Sequence, residues 1–132
     1  MQLAFTKMHG LGNDFIVFDA PASGPPDAAT LRALADRHTG IGFDQALMLE
    51  KPRRDGTVVY YRIFNADGDE VEQCGNGARC IASIVNARLK RGPGLLVMDS
   101  PGGLIRARVR EDGRVSVAMG VPNFAPASLP FD

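Results

Sequence analysis

Gly77-Ala78-Arg79-Cys80-Ile81-Ala82-Ser83-Ile84-Val85-Asn86-Ala87-Arg88-Leu89-Lys90-Arg91 is the stretch that decides the fold. Ala78, Ile81, Ala82, Ile84, Val85 and Leu89 recur at helical spacing and cover much of the circumference, and Lys90, Arg91 and Gly92 mark its end. A helix apolar on so many sides must be surrounded. The spacing therefore predicts a buried helix over 77–91 with the rest of the chain wrapped around it.

The flanking sequence supplies the wrapping. Apolar and β-branched runs at 3–8 and 14–19 read as strands separated by the turn His9-Gly10-Leu11-Gly12-Asn13. Pro25-Pro26-Asp27 then stops the chain and caps a short amphipathic helix reaching about residue 37, with Leu31 and Leu34 inward. Strands follow at 45–49 and, after Pro52-Arg53-Arg54-Asp55-Gly56, at 57–64, the strongest strand signal in the chain. Asn65-Ala66-Asp67-Gly68 reads as a tight turn that presents Asn65 beside the next segment, because Asn and Asp bond nearby backbone and Gly accepts positive φ. Beyond the helix, 95–99, 104–110 and 115–119 alternate as strands, with a hairpin turn at Glu111-Asp112-Gly113-Arg114. The class is α+β. Pro122, Pro126 and Pro130 then loosen the chain, so a domain over 1–120 and the start of a linker over 121–132 are expected.

A chain of 132 residues has room for one compact domain and not for two sharing a cleft. Lys and Arg number 15 against 15 Asp and Glu, without a basic cluster, which argues against nucleic acid as a partner. The opening residues lack a signal-peptide layout, and no apolar run reaches the roughly 18 residues of a spanning helix, so no membrane partner and a cytoplasmic location are expected. Two cysteines are too few for a disulfide framework.

Cys74 precedes the helix in Gln73-Cys74-Gly75-Asn76-Gly77, where unpaired amides and the helix dipole favour a thiolate, and the two glycines let backbone amides converge on a carboxylate. The residues alone leave two readings open: a reactive thiol, or a small buried hydrophobe beside a glycine turn. Cys80 lies six residues on, a rise of roughly 9 Å and a rotation of about 240° along a helix, so it faces elsewhere and reads as a core residue. The same separation argues against a disulfide between them.

Other patterns carry less. A Cys-His nucleophile using His9 or His38 is the competing enzymatic reading, but His9 suits the glycine turn and His38 suits the end of the first helix. Neither histidine belongs to a zinc cluster. Gly10 and Gly12 do not complete a dinucleotide motif, because position 15 is Phe. The acidic run Asp67, Asp69, Glu70 and Glu72 alternates between the faces of a hairpin and reads as a solvated edge rather than a metal site. Arg79 is left between pairing with a carboxylate and lending positive potential near Cys74.

Four blocks go further. Lys7-Met8-His9-Gly10-Leu11-Gly12-Asn13-Asp14-Phe15 resembles the opening motif of diaminopimelate epimerases, and Gly40-Ile41-Gly42-Phe43-Asp44-Gln45 resembles their second block. Phe64-Asn65-Ala66-Asp67-Gly68, followed by Glu72-Gln73-Cys74-Gly75-Asn76-Gly77-Ala78-Arg79-Cys80, is similar to the segment that holds the family's first catalytic cysteine, and Met119-Gly120-Val121-Pro122 to the end of its first domain. The resemblance implies a strongly curved mixed sheet around the central helix. It also implies an isomerase without metal or pyridoxal cofactor that interconverts LL- and meso-2,6-diaminopimelate, on the route to lysine and cell-wall cross-links. Two cysteines flank the α-carbon in that mechanism, one removing a proton and the other delivering one. Cys74 takes the place of the first, and substrate contacts fall on Asn13, Gln45, Asn65, Gly75 and Asn76.

The departure is length. The family's second domain, with the other cysteine, is not in this sequence, and Cys80 cannot replace it. The expected partners are therefore a small diamino dicarboxylic acid, the C-terminal domain and, through the apolar face that domain would cover, another copy of the chain. The isolated chain is expected to be inactive or very weakly active. The alternative is a non-catalytic binding domain of the same fold.

Overall fold

The computed structural model describes residues 3–10, 12–72 and 75–118. The element order is β1 (Thr6–Gly10), β2 (Asn13–Asp19), α1 (Ala28–Ala35), β3 (Gln45–Glu50), β4 (Tyr60–Asn65), β5 (Glu70–Val71), α2 (Gly75–Arg88), β6 (Gly94–Ser100), β7 (Gly103–Val109) and β8 (Val115–Ala118). The strands form one sheet in the order β1-β2-β3-β4-β6-β7-β8, with β5 pairing to β4. The β2–β3 and β4–β6 pairs are parallel and the others antiparallel, so the sheet is mixed as expected. Each parallel pair needs a crossover, and α1 and α2 supply the two.

The α2 helix touches β1 and β2 at one end of the strand order and β6, β7 and β8 at the other. One helix can reach both ends only if the sheet curls around it, which bears out the curved sheet. The concave core joins Phe15, Val17, Leu47, Tyr61, Ile63, Leu96 and Met98 to Ala78, Ile81, Ala82 and Val85 of α2. On the convex side, Ile16, Phe18, Ala46, Met48 and Phe64 pack against Leu31 and Ala35 of α1 and against Phe43. The central strands are therefore buried on both faces, which explains why their sequences run almost continuously apolar.

Several boundaries differ from the sequence reading. The buried helix starts at Gly75 rather than Gly77 and ends at Arg88 rather than Arg91. Its end is a Schellman turn: Arg91 N–H donates to the Asn86 carbonyl, Lys90 N–H donates to that of Ala87, and Lys90 takes φ 53°. Ile84 is only partly buried and Leu89 is 49% exposed, so the last turn of α2 projects from the core. The α1 helix is capped by Asp27, whose carboxylate accepts the Thr30 N–H at 2.7 Å. It stops at Ala35, short of residue 37, because the Asp36 carboxylate accepts the amides of His38 and Thr39 and turns the chain. His38 accordingly lies beyond the helix rather than at its end. The β1 strand spans Thr6–Gly10 rather than 3–8, while the turn at Asn65 is as expected: Gly68 has φ 93° and donates to the Asn65 carbonyl.

Among the described residues no helix is long and apolar enough to cross a membrane. Cys74, Met119 and the linker expected at 121–132 lie outside the described residues.

Candidate functional site

Strand alternation decides which side chains share a face. Phe15, Val17, Leu47, Leu49, Tyr61 and Ile63 lie in the concave core. Asn13 is in phase with Phe15, Gln45 with Leu47, and Asn65 with Ile63, so all three amides belong to the concave face. Register brings them to one rim: Gln45 is paired with both Phe15 and Asn65, and Asn13 starts β2 opposite Gly10. Gly75 and Asn76 open α2 and complete that rim.

Hydrogen bonds join these residues. Gln45 Nε2 donates to Asn65 Oδ1 at 2.9 Å. Asn76 Nδ2 donates to Asn13 Oδ1 at 3.3 Å, and Arg79 Nη1 donates to Asn76 Oδ1 at 2.7 Å. Gly10 lies beside Asn76, close enough that a methyl group at position 10 would touch the Asn76 Cβ at 3.4 Å, an ordinary packing distance. Gln45 Oε1 is buried and accepts no hydrogen bond from the described residues. A buried acceptor in that state has lost water without replacing it, and it suits a ligand N–H. At the same rim, the first turn of a helix carries amides without intrahelical partners and a positive dipole end, which suit an anion.

Of the residues singled out from sequence, Asn13, Gln45, Asn65, Gly75 and Asn76 thus gather at one rim. His9 offers only its backbone there, its carbonyl accepting from Cys80 Sγ at 3.7 Å. Cys80 is 5% exposed and sits in the concave core, as expected. The acidic run is dispersed: Glu70 binds Arg62 at 2.7 Å, Asp67 accepts the Asp69 amide, and Glu72 is exposed. Among the described residues no three His, Cys, Asp or Glu side chains are grouped to hold a metal.

Sequence reading missed a charged clamp directly behind this rim. Asp14 and Asp44 each precede or follow a rim residue and, by alternation, face the convex side. The Asp14 N–H donates to Asp44 Oδ2 and the Asp44 N–H to Asp14 Oδ1, both at 3.0 Å. Arg37 donates to both Asp14 oxygens at 2.8 and 2.7 Å and to Asp44 at 3.1 Å. Lys7 lies 2.9 Å from Asp14 and also donates to the Gly42 carbonyl. The Arg37 guanidinium, and after it Lys7 and Asp44, hold the Asp14 carboxyl far below the usual carboxylate range against the opposing effect of burial, and Asp14 in turn raises Arg37. The clamp pins the starts of β2 and β3 together, fixing where Asn13 and Gln45 emerge. Its signal in sequence is an Asp beside Asn13 and another beside Gln45.

A cavity of about 720 Å³ opens at the opposite end of α2, lined in part by Leu49, Val58, Val85, Arg88 and Leu89. It contains none of the candidate residues.

Comparison with known proteins identifies relatives in sequence and in fold. A diaminopimelate epimerase of Nitrosomonas europaea is 56% identical over 132 residues, covering 99% of this chain and 48% of that protein. One from Nitrosomonas eutropha is 55% identical over 135 residues, with the same coverage of each. Among solved structures, a probable proline racemase of Agrobacterium radiobacter K84, crystallised with carbonate, superposes with a TM-score of 0.69 at 17% identity, over 89% of this chain and 42% of that one. That likeness concerns the fold. The chain spans about half the length of the curated relatives it matches. The sequence profile of diaminopimelate epimerase matches residues 5–125, and the chain belongs to the diaminopimelate epimerase family.

Proposed function

We propose that this chain forms one wall of a cytoplasmic amino-acid epimerase site that interconverts LL- and meso-2,6-diaminopimelate in lysine and cell-wall precursor synthesis. The observation that carries the proposal is the convergence of Asn13, Gln45, Asn65 and Asn76 on one rim at the start of α2 in a member of this family. A zwitterionic amino acid needs acceptors for its ammonium and donors for its carboxylate. Gln45 Oε1 fits the first need. The amides of Gly75 and Asn76 fit the second.

Cys74 is the residue before the first helical residue, Gly75. A thiol at a helix start is the type whose thiolate the helix dipole favours. In the proposed reaction the Cys74 sulfur and a second cysteine, from the half of the family's length that is absent here, face opposite sides of the α-carbon. One thiolate takes the α-proton and the other thiol gives a proton to the opposite face, so the centre inverts with no change in oxidation state. No cofactor is required by this balance. The isolated chain is accordingly inactive or very weakly active.

The test is a titration of LL-2,6-diaminopimelate into the isotope-labelled chain mixed with the separately expressed remaining half. The side-chain amide signals of Asn13, Gln45, Asn65 and Asn76 shift together, while that of Asn86, at the far end of α2, does not. Shifts at Asn86 with none at the four rim amides would overturn the assignment of this rim.

A further inference from the structure

Resting on that reading of the rim, one residue acquires a role that the proposed substrate contacts do not include. We propose that Arg79 is a positioning residue: through Asn76 it fixes which way round the Asn13 amide stands, so that Asn13 offers its NH₂ group, and not its oxygen, to an anionic ligand group such as a carboxylate.

The direction follows from what each group can do. An amide can be turned round, exchanging its donor and acceptor ends, wherever its partners can do either. A guanidinium cannot accept a hydrogen bond. The atom of Asn76 that lies 2.7 Å from Arg79 Nη1 must therefore be its oxygen. The other end of the same amide, Nδ2, then faces Asn13 at 3.3 Å and must meet an acceptor, which is Asn13 Oδ1. Asn13 Nδ2 is left pointing away from this pair. Each orientation is dictated by the one before it, and the series begins at a group with a fixed sense.

The positions that build the relay are also constrained. Asn76 and Arg79 are three apart on α2, the spacing at which helical side chains meet. Asn76 lies against β1 beside Gly10, which stands opposite Asn13 in the register. With Arg79 replaced by an apolar residue, Asn76 and Asn13 can turn round together and keep their mutual hydrogen bond, so that the Asn13 oxygen as well as its NH₂ group can face the ligand. An acceptor at position 79 would force that reversal.

Side-chain amide exchange in the 132-residue chain, measured by NMR without substrate, reads the orientation directly. In the parent chain the Asn76 NH₂ exchanges about tenfold more slowly than that of Asn13, as loss of one hydrogen bond of ordinary strength implies. Arg79→Lys keeps that order, Arg79→Met removes most of the difference, and Arg79→Glu slows Asn13 exchange by turning the relay round. Equal exchange patterns in the parent, Arg79→Met and Arg79→Glu chains, all folded by their backbone amide spectra, would overturn the proposal. Should Arg79→Met fail to fold, the Lys and Glu variants decide it alone.

In the two-half mixture, Arg79→Met raises KM for diaminopimelate several-fold with kcat nearly unchanged, and Arg79→Lys restores it. An unchanged KM would refute the positioning role. Absence of turnover in the parent mixture would refute the epimerase reading instead, while the exchange rates still decide the amide order.

Discussion

Replacing Gly40 by alanine tests how the second sequence block builds the rim. A methyl group there would sit 2.2 Å from the Ala33 carbonyl oxygen and 2.6 Å from that of Leu34, both in the backbone of α1. Backbone cannot step aside as the end of a side chain can, so the loop or the helix must move by about 1 Å to restore ordinary contact. The loop is tied to one of these carbonyls and to the chain just beyond the helix: Ile41 and Gly42 donate to Leu34 at 2.8 and 3.0 Å, and Gly40 donates to Asp36 at 2.9 Å. Overpacking of this kind costs about 1–3 kcal/mol, and weakening one or two of these bonds adds about 1 kcal/mol. Gly40→Ala is therefore expected to destabilise by about 2–4 kcal/mol, lowering the melting temperature by roughly 10 °C in a chain of this size. Urea denaturation measures it, with Gly92→Ala as control, since nothing lies within 4 Å of a methyl group there. A Gly40→Ala midpoint indistinguishable from that of Gly92→Ala would refute the reasoning. Because the loop leads into Asp44 and Gln45, the variant also disturbs the amide signals at the rim.

Three further outcomes are expected. Ile81, fully buried at the centre of the wrapped helix, should cost about 2–5 kcal/mol as Ile81→Ala, read from the same urea curves. Lys90→Gly should stabilise by roughly 0.5–1 kcal/mol, because Lys90 holds φ 53° at the end of α2, where glycine avoids the steric penalty. The Asp14 carboxyl is depressed in the folded chain from an ordinary value of 3.8, so its stabilising contribution is present above that value and is lost as pH falls through the lower folded value. Stability should thus fall on acidification below about pH 4. Arg37→Met removes the largest cause of the shift and should flatten that dependence, which denaturation at pH 7 and pH 3 would reveal.

Local signals were legible in the sequence, and register was not. Asp27 as a cap, the turn at Asn65 and the strand beginning at Gln45 each depend on residues within a few positions of one another. The start of α2 is hidden in the sequence because Gly75, Asn76 and Gly77 are poor helix formers, yet they form its first turn. The shared face of Asn13, Gln45 and Asn65 follows from parity only once the β2–β3 and β3–β4 partners are known, and β2–β3 pairing crosses a whole helix. The gathering of these residues was expected from family resemblance alone. The Asp14–Arg37–Asp44 clamp was missed for the same reason, since its members are separated in sequence and meet only across that crossover. Arg79 is not decided by its sequence context because its partner is an amide, not the carboxylate that charge alone suggests.

The most direct test of the epimerase reading is deuterium incorporation at the α-carbon of LL-2,6-diaminopimelate in heavy water, using this chain mixed with its separately expressed second half. Two-thiol epimerisation predicts exchange and inversion to the meso form in the mixture, neither with this chain alone, and loss of both in Cys74→Ala. Inversion that survives Cys74→Ala, or its absence from a mixture whose halves are folded and associated, would contradict it.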